Sequence, residues 1–339
     1  MHKVGFMGGK FLPFHLGHLF AILEAHNQVD KLYIILSSSK KRDKELCERD
    51  GIKYIPADVR MSWLGEAFND LENIEVIDIE DDQWDNDYDW TEGARMITGA
   101  IPEKITHVFS SEHTYTELFK QFYPFAEHVV VDDERKTVTI SATELRQNLF
   151  DNWDKLPIFV RSFFTKKVLV TGTESVGKST LVTKLAKFFN TNFVHEVGRD
   201  YCERYKNHLT VPMFDSIAME HFLLQEKLAP HSDKVLFVDS DAIVTKYYLN
   251  MYFGATSAFI DELIKLQSFD LCLYLEPDVK WMPDGFRFAG DTQERLKNNE
   301  LLKQLYIDNW SSDFPTIHIS GDYSNRLLVA RQEVNKLFK

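Results

Sequence analysis

The chain has 339 residues, 44% of them hydrophobic and 27% charged, and it carries a formal net charge of -13 at pH 7. This length exceeds what a single hydrophobic core usually supports, so we expect two domains, and the composition excludes disordered and fibrous proteins. The negative charge disfavours nucleic-acid binding, and the absence of a long apolar run disfavours membrane insertion. Because Cys47, Cys202 and Cys272 lack the spacing of a zinc or redox motif, we expect reduced thiols and a cytoplasmic location.

Short apolar runs alternate with helical patterns along the first part of the chain. Strands are predicted at 3–7, 31–36, 74–79, 107–110 and 128–131, and helices at 19–27 and 58–68. This alternation is typical of a parallel sheet with crossover helices. The sequence predicts a first domain over residues 1–150 and a packed helical connector over 151–166, which Pro157 interrupts.

The same alternation begins again at residue 167. Strands are predicted at 167–172, 193–195, 235–238, 272–275 and 316–319, with a helix ending at 189, two helical stretches ending by 228, and a helix at the end of the chain. A second domain is therefore predicted over residues 167–339. The predicted fold class is α/β, with two parallel-sheet domains.

The segment after the first predicted strand has the features of an anion-binding loop. Gly8 and Gly9 end the strand where the backbone turns sharply and approaches a ligand closely. His15 and His18 are three residues apart, so a helix that begins near Leu16 places both imidazoles beside unpaired backbone N–H groups of its first turn. Taken alone, a histidine pair with this spacing is as compatible with a surface pair or a metal-binding pair as with an anion-binding site.

The neighbouring residues favour nucleotide binding. Gly17 leaves room for a sugar or base, and with Gly9, Phe11 and Pro13 it completes the string GKFLPFHLGH, which resembles the GxFxPxHxGH signature of the HxGH nucleotidyltransferases. Further along the chain, ISATELR at 140–146 resembles the ISSTxxR signature that completes the same active site. The resemblance implies a Rossmann-like domain in which an acceptor oxygen attacks the α-phosphorus of ATP and expels pyrophosphate.

The resemblance also assigns roles to individual residues. It implies that His18 contacts the α-phosphate, that His15 assists on the phosphate chain, and that Ser141 and Arg146 hold the pyrophosphate end. Considered in isolation, ISATELR is an ordinary capped helix, since serine and threonine are common N-cap residues. Nucleotide contacts are predicted at Gly8, Gly9, Phe11, Gly17, Ser141 and Thr143.

The residues that bind the acceptor are less sharply indicated. Trp84 and Trp90 lie in an acidic stretch before a helix, where a flat electron-rich ring can stack on a cationic pyridinium, but a partly exposed packing role is equally compatible. Ser110 ends a predicted strand and Glu112 follows it, at the carboxyl end where open α/β sheets bind ligands. We assign these four residues to substrate binding.

The second domain opens with a P-loop. GTESVGKST at 172–180 satisfies G-x-x-x-x-G-K-[ST], and it follows an apolar strand and precedes a helix, as the motif requires. In this motif the backbone N–H groups hold the β-phosphate, Lys178 neutralises the β/γ-phosphate oxygens, and Ser179 binds Mg²⁺. ATP contacts are predicted at Gly172, Thr173, Glu174, Ser175, Val176, Gly177, Ser179 and Thr180.

Two further segments supply candidate catalytic residues for a kinase. Asp239 ends the apolar strand VLFVD and is the candidate carboxylate near Mg²⁺, although a buried strand ending in aspartate is also a common turn. Glu196 in EVGRDY is the candidate base for a nucleoside hydroxyl, with Arg199 as its partner in substrate binding. The same two residues are also compatible with a structural ion pair.

The stretch WMPDGFRFAGDTQER at 281–295 has the glycines and basic residues of a lid that closes over phosphates. Arg287 is its candidate catalytic cation, and Arg295 is its candidate ATP contact. This interpretation depends mainly on the position of the stretch after the predicted strand at 272–275, because many charged loops have a similar composition.

Taken together, the motifs resemble the NadR family across nearly the whole chain. The matching segments, in chain order, are GKFLPFHLGH, DVRMSWL, SSEHTY, ISATELR, GTESVGKST, EVGRDY, VDSD and WMPDGFR. The resemblance implies a nicotinamide mononucleotide (NMN) adenylyltransferase followed by a ribosylnicotinamide kinase, with ATP as substrate and Mg²⁺ as cofactor. Some family members carry an N-terminal helix-turn-helix module, and because Met1 is followed at once by the first strand, we expect that module to be absent here.

Two alternatives remain open from the sequence. The chain could join a different HxGH transferase, for pantetheine phosphate, flavin or cytidylyl transfer, to another small-molecule kinase. It could also be a nucleotide-sensing regulator without rapid turnover, although the intact His18 and Lys178 disfavour this. The expected partners are nicotinamide riboside, NMN, ATP and the product NAD, without nucleic acid, and a homo-oligomer is compatible with the sequence.

Overall fold

The architecture was taken from a computed structural model, which describes residues 2–83, 88–132, 137–279, 292–311 and 314–338. The chain forms two compact units, Met1–Val160 and Arg161–Lys339. Each unit contains a sheet of five parallel strands, which confirms the predicted α/β class with two parallel-sheet domains. Among the described residues, no helix combines the length and the apolar character that crossing a bilayer requires.

The elements of the first unit alternate between strand and helix, as the apolar runs predict. The strands are β1 (Val4–Gly9), β2 (Lys31–Ser38), β3 (Ile74–Glu80), β4 (His107–Ser110) and β5 (Glu127–Val130). The helices are α1 (Leu16–His26), α2 (Lys40–Arg49), α3 (Ala57–Phe68), α4 (Trp90–Ala100), α5 (Thr116–Phe122) and α6 (Ala142–Gln147), while α7 (Ile158–Phe164) begins in this unit and ends in the second. Short 3₁₀ turns occur at His113–Tyr115 and Trp153–Lys155.

The strand order of the first sheet determines where a ligand can bind. The order is β3-β2-β1-β4-β5, so the chain leaves β1 toward one edge and returns to pair β4 on the other side of β1. The register pairs Phe6 with Val108 and Met7 with Phe109. In open α/β sheets, ligands bind at the carboxyl ends of strands where the winding direction reverses. The loops after β1 and β4 therefore meet at the expected binding position.

The second unit is built in the same way. Its strands are β6 (Lys166–Thr171), β7 (Phe193–Val194), β8 (Val235–Asp239), β9 (Leu271–Leu275) and β10 (Thr316–Ile319). Its helices are α8 (Lys178–Phe189), α9 (Val197–Arg204), α10 (Val211–Leu228), α11 (Ala242–Phe253), α12 (Ala258–Leu266), α13 (Thr292–Asn309) and α14 (Tyr323–Lys336), with a 3₁₀ turn at Ala229–His231.

The central strand of the second sheet carries the P-loop. The order is β10-β9-β6-β8-β7, so β6 lies between β8 and β9. The register pairs Val170 of β6 with Asp239 of β8, which brings that carboxylate alongside the start of the phosphate loop. Strands β6, β8 and β9 read as continuous apolar runs because helices cover both faces of the sheet. This buried sheet gives the loop a rigid base.

Candidate functional site

The two histidines of the first motif meet at the start of α1. His15 is the N-cap residue, and its Nδ1 accepts hydrogen bonds from the N–H groups of Gly17 at 3.1 Å and His18 at 3.3 Å. A ring nitrogen that accepts from amides carries no proton, so in the neutral ring the proton lies on Nε2. The His18 ring stacks on the His15 ring, with centroids 3.7 Å apart. The structure therefore brings the predicted histidine pair together at a helix N-terminus.

The glycines of this loop have different surroundings. A Cβ at Gly17 would lie 2.9 Å from Cε1 of His15, so a larger residue there would displace that ring. A Cβ at Gly9 would lie 3.0 Å from the Phe11 ring, whereas one at Gly8 would meet nothing within 4 Å. The space beside Gly8 is therefore open to a ligand, in agreement with the predicted nucleotide contact.

Phe11 has a supporting role in this loop. Its side chain is buried, with 2% exposure, and its ring contacts the His18 ring edge to face at a centroid distance of 5.0 Å. The predicted nucleotide contact at Phe11 can therefore be made only by its backbone, because its ring is enclosed by protein.

The ISATELR segment forms a short capped helix, as the sequence predicts. The Ser141 hydroxyl accepts from the N–H of Glu144 at 3.1 Å. The Arg146 guanidinium is bound to protein through its Nε to Asp50 Oδ2 at 2.7 Å, its Nη1 to the carbonyl of Leu12 at 2.7 Å, and its Nη2 to Thr143 Oγ1 at 3.1 Å. Arg146 therefore ties α6 to α2 and to the histidine loop, and a pyrophosphate contact would use the remaining donors of its guanidinium or would replace one of these partners.

Among the predicted acceptor residues, two lie at the carboxyl end of β4. The Ser110 hydroxyl donates to the Glu112 carbonyl at 3.0 Å and is 2.9 Å from Nε2 of His128. The half-buried Trp90 begins α4, and its ring packs against aromatic rings of α5, including a stacked contact of 6.2 Å with Phe122. These contacts favour packing as one role of Trp90, and Trp84 lies outside the described residues.

The backbone of the P-loop turns at two glycines with positive φ. Gly172 has φ 134° and Gly177 has φ 90°, which are values that glycine adopts readily. A Cβ at Gly172 would lie 2.6 Å from the Leu275 carbonyl oxygen, so only glycine fits there. Lys178 Nζ donates to the carbonyls of Gly172 at 2.9 Å and Thr173 at 3.0 Å. The lysine is therefore directed across the loop that would receive the phosphates.

The other predicted residues of the P-loop line or flank the same cradle. Ser175 has φ 60° and Val176 is buried, while Thr180 is exposed on the first turn of α8. Thr173 Oγ1 is buried and has no hydrogen-bond partner among the described residues. Glu174 lines a cleft that adjoins the P-loop and is described below.

Asp239 and Ser179 form the candidate Mg²⁺ position. Ser179 donates a hydrogen bond to Asp239, and Asp239 Oδ1 is buried without a hydrogen-bond partner in the described part of the chain. Burial, with the negative charge of Glu196 as the second cause, raises the pKa of Asp239 from 3.8 to about 6. A hydroxyl and a carboxylate oxygen are ligands that Mg²⁺ accepts alongside water and phosphate oxygens, so these residues fit the ion.

The described residues contain no cluster of three or more histidine, cysteine, aspartate or glutamate side chains able to hold a metal ion. The described part of the chain thus supplies too few ligands for a dedicated metal cage. Mg²⁺ bound by one carboxylate, one hydroxyl and the phosphates of a nucleotide agrees with this, since Mg²⁺ usually keeps waters and takes substrate phosphates.

A cleft of about 850 Å³, a volume that includes its open mouth, adjoins the P-loop. Glu196 and Arg199 line it, with Arg199 Nη2 3.7 Å from Glu196 Oε2. Three carboxylates, from Glu174, Glu196 and Asp241, line the cleft together with the cations of Lys178 and Arg199. The predicted base and its partner therefore lie where a second substrate would bind.

Arg295 belongs to a helix, which corrects the prediction that residues up to 295 form a loop. It lies in the first turn of α13, and its Nη1 donates to the Val279 carbonyl at 3.2 Å. Its Nε and Nη2 are buried without hydrogen-bond partners among the residues that the structure describes, and it lines a small cavity with Thr173 and Glu174. This position favours a phosphate contact, whereas Arg287 lies outside the described residues.

Several residues near the cleft are missing from the sequence predictions. Tyr248 and Tyr252 stack on one another at the cleft, with centroids 5.6 Å apart, and their i, i+4 spacing on α11 is a signal that the sequence offers. Asp241 is buried, also lines the cleft, and accepts from the Tyr306 hydroxyl at 2.7 Å. Burial raises the pKa of Asp241 to about 6.

Comparison with known families gives a match for each of the two units. Residues 6–148 match the family described as Cytidylyltransferase-like, and residues 167–326 match the family described as AAA domain. The Trifunctional NAD biosynthesis/regulator protein NadR of Salmonella typhimurium strain LT2 is 31% identical, over 99% of this chain and 83% of that protein. The protein of the same name from Escherichia coli strain K12 is 30% identical, over 98% of this chain and 83% of that protein.

Solved structures give the same result. The crystal structure of NadR protein in complex with NR has a TM-score of 0.78 at 26% identity, and the match covers 100% of this chain and 96% of that chain. The crystal structure of NadR protein in complex with NAD and AMP-PNP, at 23% identity and a TM-score of 0.76, shows the same fold. Because two NadR proteins are 31% and 30% identical to it over nearly its whole length, this chain belongs to the NadR family.

Proposed function

We propose that the chain is a bifunctional enzyme of NAD biosynthesis that uses ATP in both of its units. The second unit phosphorylates nicotinamide riboside to NMN, and the first unit adenylylates NMN to NAD with release of pyrophosphate. The single observation that carries this proposal is the presence, on one chain of the NadR family, of two separate phosphate cradles of different chemistry, at His15–His18 and at Gly172–Ser179.

In the first unit, the reaction is attack of an NMN phosphate oxygen on the α-phosphorus of ATP. His18 and the N–H groups at the start of α1 would stabilise negative charge on the phosphate chain as pyrophosphate leaves. His15, held by two amides, fixes the direction of its Nε2. We assign residues 1–150 to this activity and residues 151–166 to the connector.

In the second unit, the reaction is attack of the riboside hydroxyl on the γ-phosphorus of ATP, with ADP as leaving group. Glu196 would accept the hydroxyl proton, Lys178 would neutralise the β/γ-phosphate oxygens, and Arg199 would orient the substrate. Ser179 and Asp239 would hold Mg²⁺, which would neutralise charge on the phosphates. We assign residues 167–339 to this activity.

The lining of the cleft favours a cationic nucleoside. Glu174, Glu196 and Asp241 place three carboxylates there, and the stacked rings of Tyr248 and Tyr252 present aromatic surface. A pyridinium ring is both flat and positively charged, so it is suited to such surroundings. We propose that the enzyme works in the cytoplasm, where nucleotides and reduced thiols occur together.

The test is one incubation of the protein with nicotinamide riboside, ATP and Mg²⁺, followed by chromatography of the products. The proposal predicts NMN as an intermediate and NAD as the end product. Parallel incubations with riboflavin and with pantetheine phosphate test the alternative pairings of transferase and kinase. Turnover of either compound, with none of the riboside, would contradict the proposed function.

A further inference from the structure

In each unit, a fully buried arginine donates a hydrogen bond to a carbonyl of the phosphate-binding loop. Arg60 on α3 is 0% exposed, and its Nη1 donates to the Lys10 carbonyl at 2.7 Å. Arg326 on α14 is 1% exposed, and its Nη1 donates to the Val176 carbonyl at 2.7 Å. A buried guanidinium must keep its hydrogen bonds to remain stable, so each arginine constrains the loop that it contacts.

Each arginine is itself fixed by other partners. Arg60 Nη2 pairs with the buried carboxylate of Asp43 on α2 at 2.5 Å. Arg326 Nη2 donates to the Glu276 carbonyl at 2.8 Å and pairs with the carboxylate of Asp278. Because a guanidinium is planar and rigid, fixing one of its nitrogens fixes the direction of the others. The loop carbonyls are therefore held by groups anchored to the sheet and helices behind them.

The carbonyls that these arginines bind adjoin residues with a left-handed backbone. Lys10 precedes Phe11, which has φ 47°, and Val176 lies between Ser175 at φ 60° and Gly177 at φ 90°. A non-glycine residue in this region costs free energy and persists only where its surroundings fix it. The arginine contacts supply such a constraint at the position where each loop turns.

The same contacts determine the direction of one backbone amide in each loop. In a trans peptide, the carbonyl of one residue and the N–H of the next point in opposite directions. A carbonyl held toward the buried arginine therefore turns the N–H of Phe11, or of Gly177, away from the protein interior. Successive N–H groups of this kind are what an anion-binding loop presents to phosphate.

We propose that Arg60 and Arg326 are positioning residues for adenylyl transfer and for phosphoryl transfer respectively. Each holds one loop carbonyl inward so that the following N–H stays directed at phosphate. Their burial leaves them no surface with which to contact a nucleotide, so they act through the loop. The inference rests on the proposed function, because the two proposed reactions are used to test it.

The test in the first unit replaces Arg60 by Lys and by Met, with Arg42→Met as the matched control. Arg42 on α2 is 2% exposed, and its Nε pairs with the same Asp43 carboxylate at 3.1 Å. Its Nη1, however, donates to the carbonyls of Asp81 and Gln83, which lie outside the histidine loop. The control therefore disturbs the same buried cluster and leaves the loop contact in place.

We expect both Arg60 variants to lower the kcat of NAD formation from NMN on the order of 100-fold, with little change in the KM for NMN. Arg42→Met should lower the melting temperature at least as much and keep its kcat. Circular dichroism identifies a temperature at which the variants are folded. Arg60→Lys keeps a positive charge opposite Asp43, so the comparison of kcat can be made with this variant if Arg60→Met does not fold. A folded Arg60→Lys protein with the wild-type kcat would overturn the proposal, as would an equal loss of kcat in Arg42→Met.

Failure of the proposed function gives a different result. A wild-type chain that makes no NAD would contradict the function, and the loop would then be tested by the affinity for ATP, measured by calorimetry in a Lys178→Ala background so that the P-loop of the second unit does not contribute. Loss of one directed amide should weaken ATP binding about 10-fold in Arg60→Lys and should leave it unchanged in Arg42→Met. Equal affinities for ATP in the protein without either change, in Arg60→Lys and in Arg42→Met would also overturn the proposal.

The second unit provides an independent test with a control on the same helix. Arg326→Lys should lower the kcat for phosphorylation of nicotinamide riboside on the order of 100-fold. Arg331 lies one and a half turns further along α14, where its guanidinium stacks on the Phe188 ring at 3.6 Å, outside the P-loop. Arg331→Lys should keep the wild-type kcat. A normal rate in folded Arg326→Lys, or an equal loss in both variants, would overturn the assignment of Arg326.

Discussion

Single side chains with fixed hydrogen-bond roles define both phosphate sites. His15 accepts from two amides through one ring nitrogen, so its ring is oriented before any nucleotide arrives. Asp239 has one carboxylate oxygen without a hydrogen-bond partner in the described residues, and this is an unfavourable state for a buried carboxylate unless a cation joins it. Groups that are fixed in this way destabilise the folded protein slightly, but they need no rearrangement during the reaction and therefore lower its barrier.

A first prediction concerns Gly17, whose Cβ position is occupied by the His15 ring. In Gly17→Ala the new methyl group would lie 2.9 Å from Cε1 of His15, so the ring must move and its two bonds to backbone amides weaken. We expect NAD formation from NMN to fall about 10- to 100-fold, while phosphorylation of the riboside is retained. Gly99→Ala is the control, since a Cβ there meets nothing within 4 Å. Equal rates in the two variants would show that His15 placement is unimportant.

A second prediction is that Asp239→Asn stabilises the second unit while abolishing its kinase reaction. The pKa of Asp239 is about 6 in the folded protein and 3.8 ordinarily, so the folded state binds the proton more tightly than the unfolded state. Wild-type stability therefore falls as the pH rises from about 4 to about 6, and the Asn variant escapes this loss. We expect its free energy of unfolding to exceed that of the wild type by about 1 to 3 kcal/mol at pH 7.

The measurement for Asp239→Asn is urea unfolding in Mg²⁺-free buffer at pH 7 and at pH 4. The stability difference should be present at pH 7 and should shrink to a small fraction at pH 4, because the folded wild type is then protonated and the unfolded state, with a pKa of 3.8, is only about half ionised. A variant that is less stable than the wild type at pH 7 would contradict the cause assigned to the raised pKa. Asp308→Asn, on the exposed face of α13, should change nothing at either pH.

Secondary-structure elements differ in how well the sequence predicts them. The apolar runs locate the strands of both sheets to within two residues at each end. The clearest cases are β8 and β9, which are buried along their whole length and therefore mostly apolar, whereas β3 is only partly buried and carries Glu75, Asp78 and Glu80. Helix α2, with the sequence KKRDKELCER, is not predicted, since it lacks an apolar stripe. Its inner face is instead polar: the buried Arg42 and Asp43 pair with one another, and Ser39 caps the helix. Periodicity of apolar residues cannot reveal such a helix.

The residues of the candidate sites also differ in how well the sequence predicts them. Local motifs identify His15, His18, Lys178 and Asp239, since glycine spacing and strand ends are visible in the sequence. Residues that act through distant partners are not visible in this way. Arg60 is part of DVRMSWL, yet its bond to Lys10 joins positions that are far apart in the chain. Only the tertiary fold supplies that pairing.

A third prediction concerns the packing of α4 on α5 through Trp90. The Trp90 ring contacts Tyr115, Phe119 and Phe122, so Trp90→Ala leaves a cavity between the helices, and we expect the free energy of unfolding to fall by about 2 to 3 kcal/mol. Trp90→Phe should recover most of the loss. Denaturant unfolding of the two variants provides the measurement, and unchanged stability in Trp90→Ala would contradict a packing role.

Whether Trp90 also stacks on the pyridinium ring is tested by NMN affinity. If it does, calorimetry should show NMN binding weakened by about 1 to 3 kcal/mol in Trp90→Ala with ATP affinity nearly unchanged, and the same comparison applies to Trp84→Ala. If neither replacement changes the affinity for NMN, both tryptophans serve packing alone.

At the scale of the whole molecule, one chain forms two α/β units, and each carries one of the two proposed ATP phosphate cradles. The product of the proposed kinase is the substrate of the proposed adenylyltransferase, so the two reactions form a sequence from riboside to dinucleotide. Because the cradles use different residues on different sheets, the account requires that each reaction can be removed without loss of the other.

The most direct test of this claim is a product time course for Lys178→Ala and His18→Ala, with folding checked by circular dichroism. Lys178→Ala should lose phosphorylation of nicotinamide riboside and still convert NMN to NAD. His18→Ala should lose about 3 to 4 kcal/mol of transition-state stabilisation in adenylyl transfer, so NMN should accumulate from the riboside. NAD formed from NMN by His18→Ala at the wild-type rate, or riboside phosphorylated normally by Lys178→Ala, would contradict the assignment of that unit.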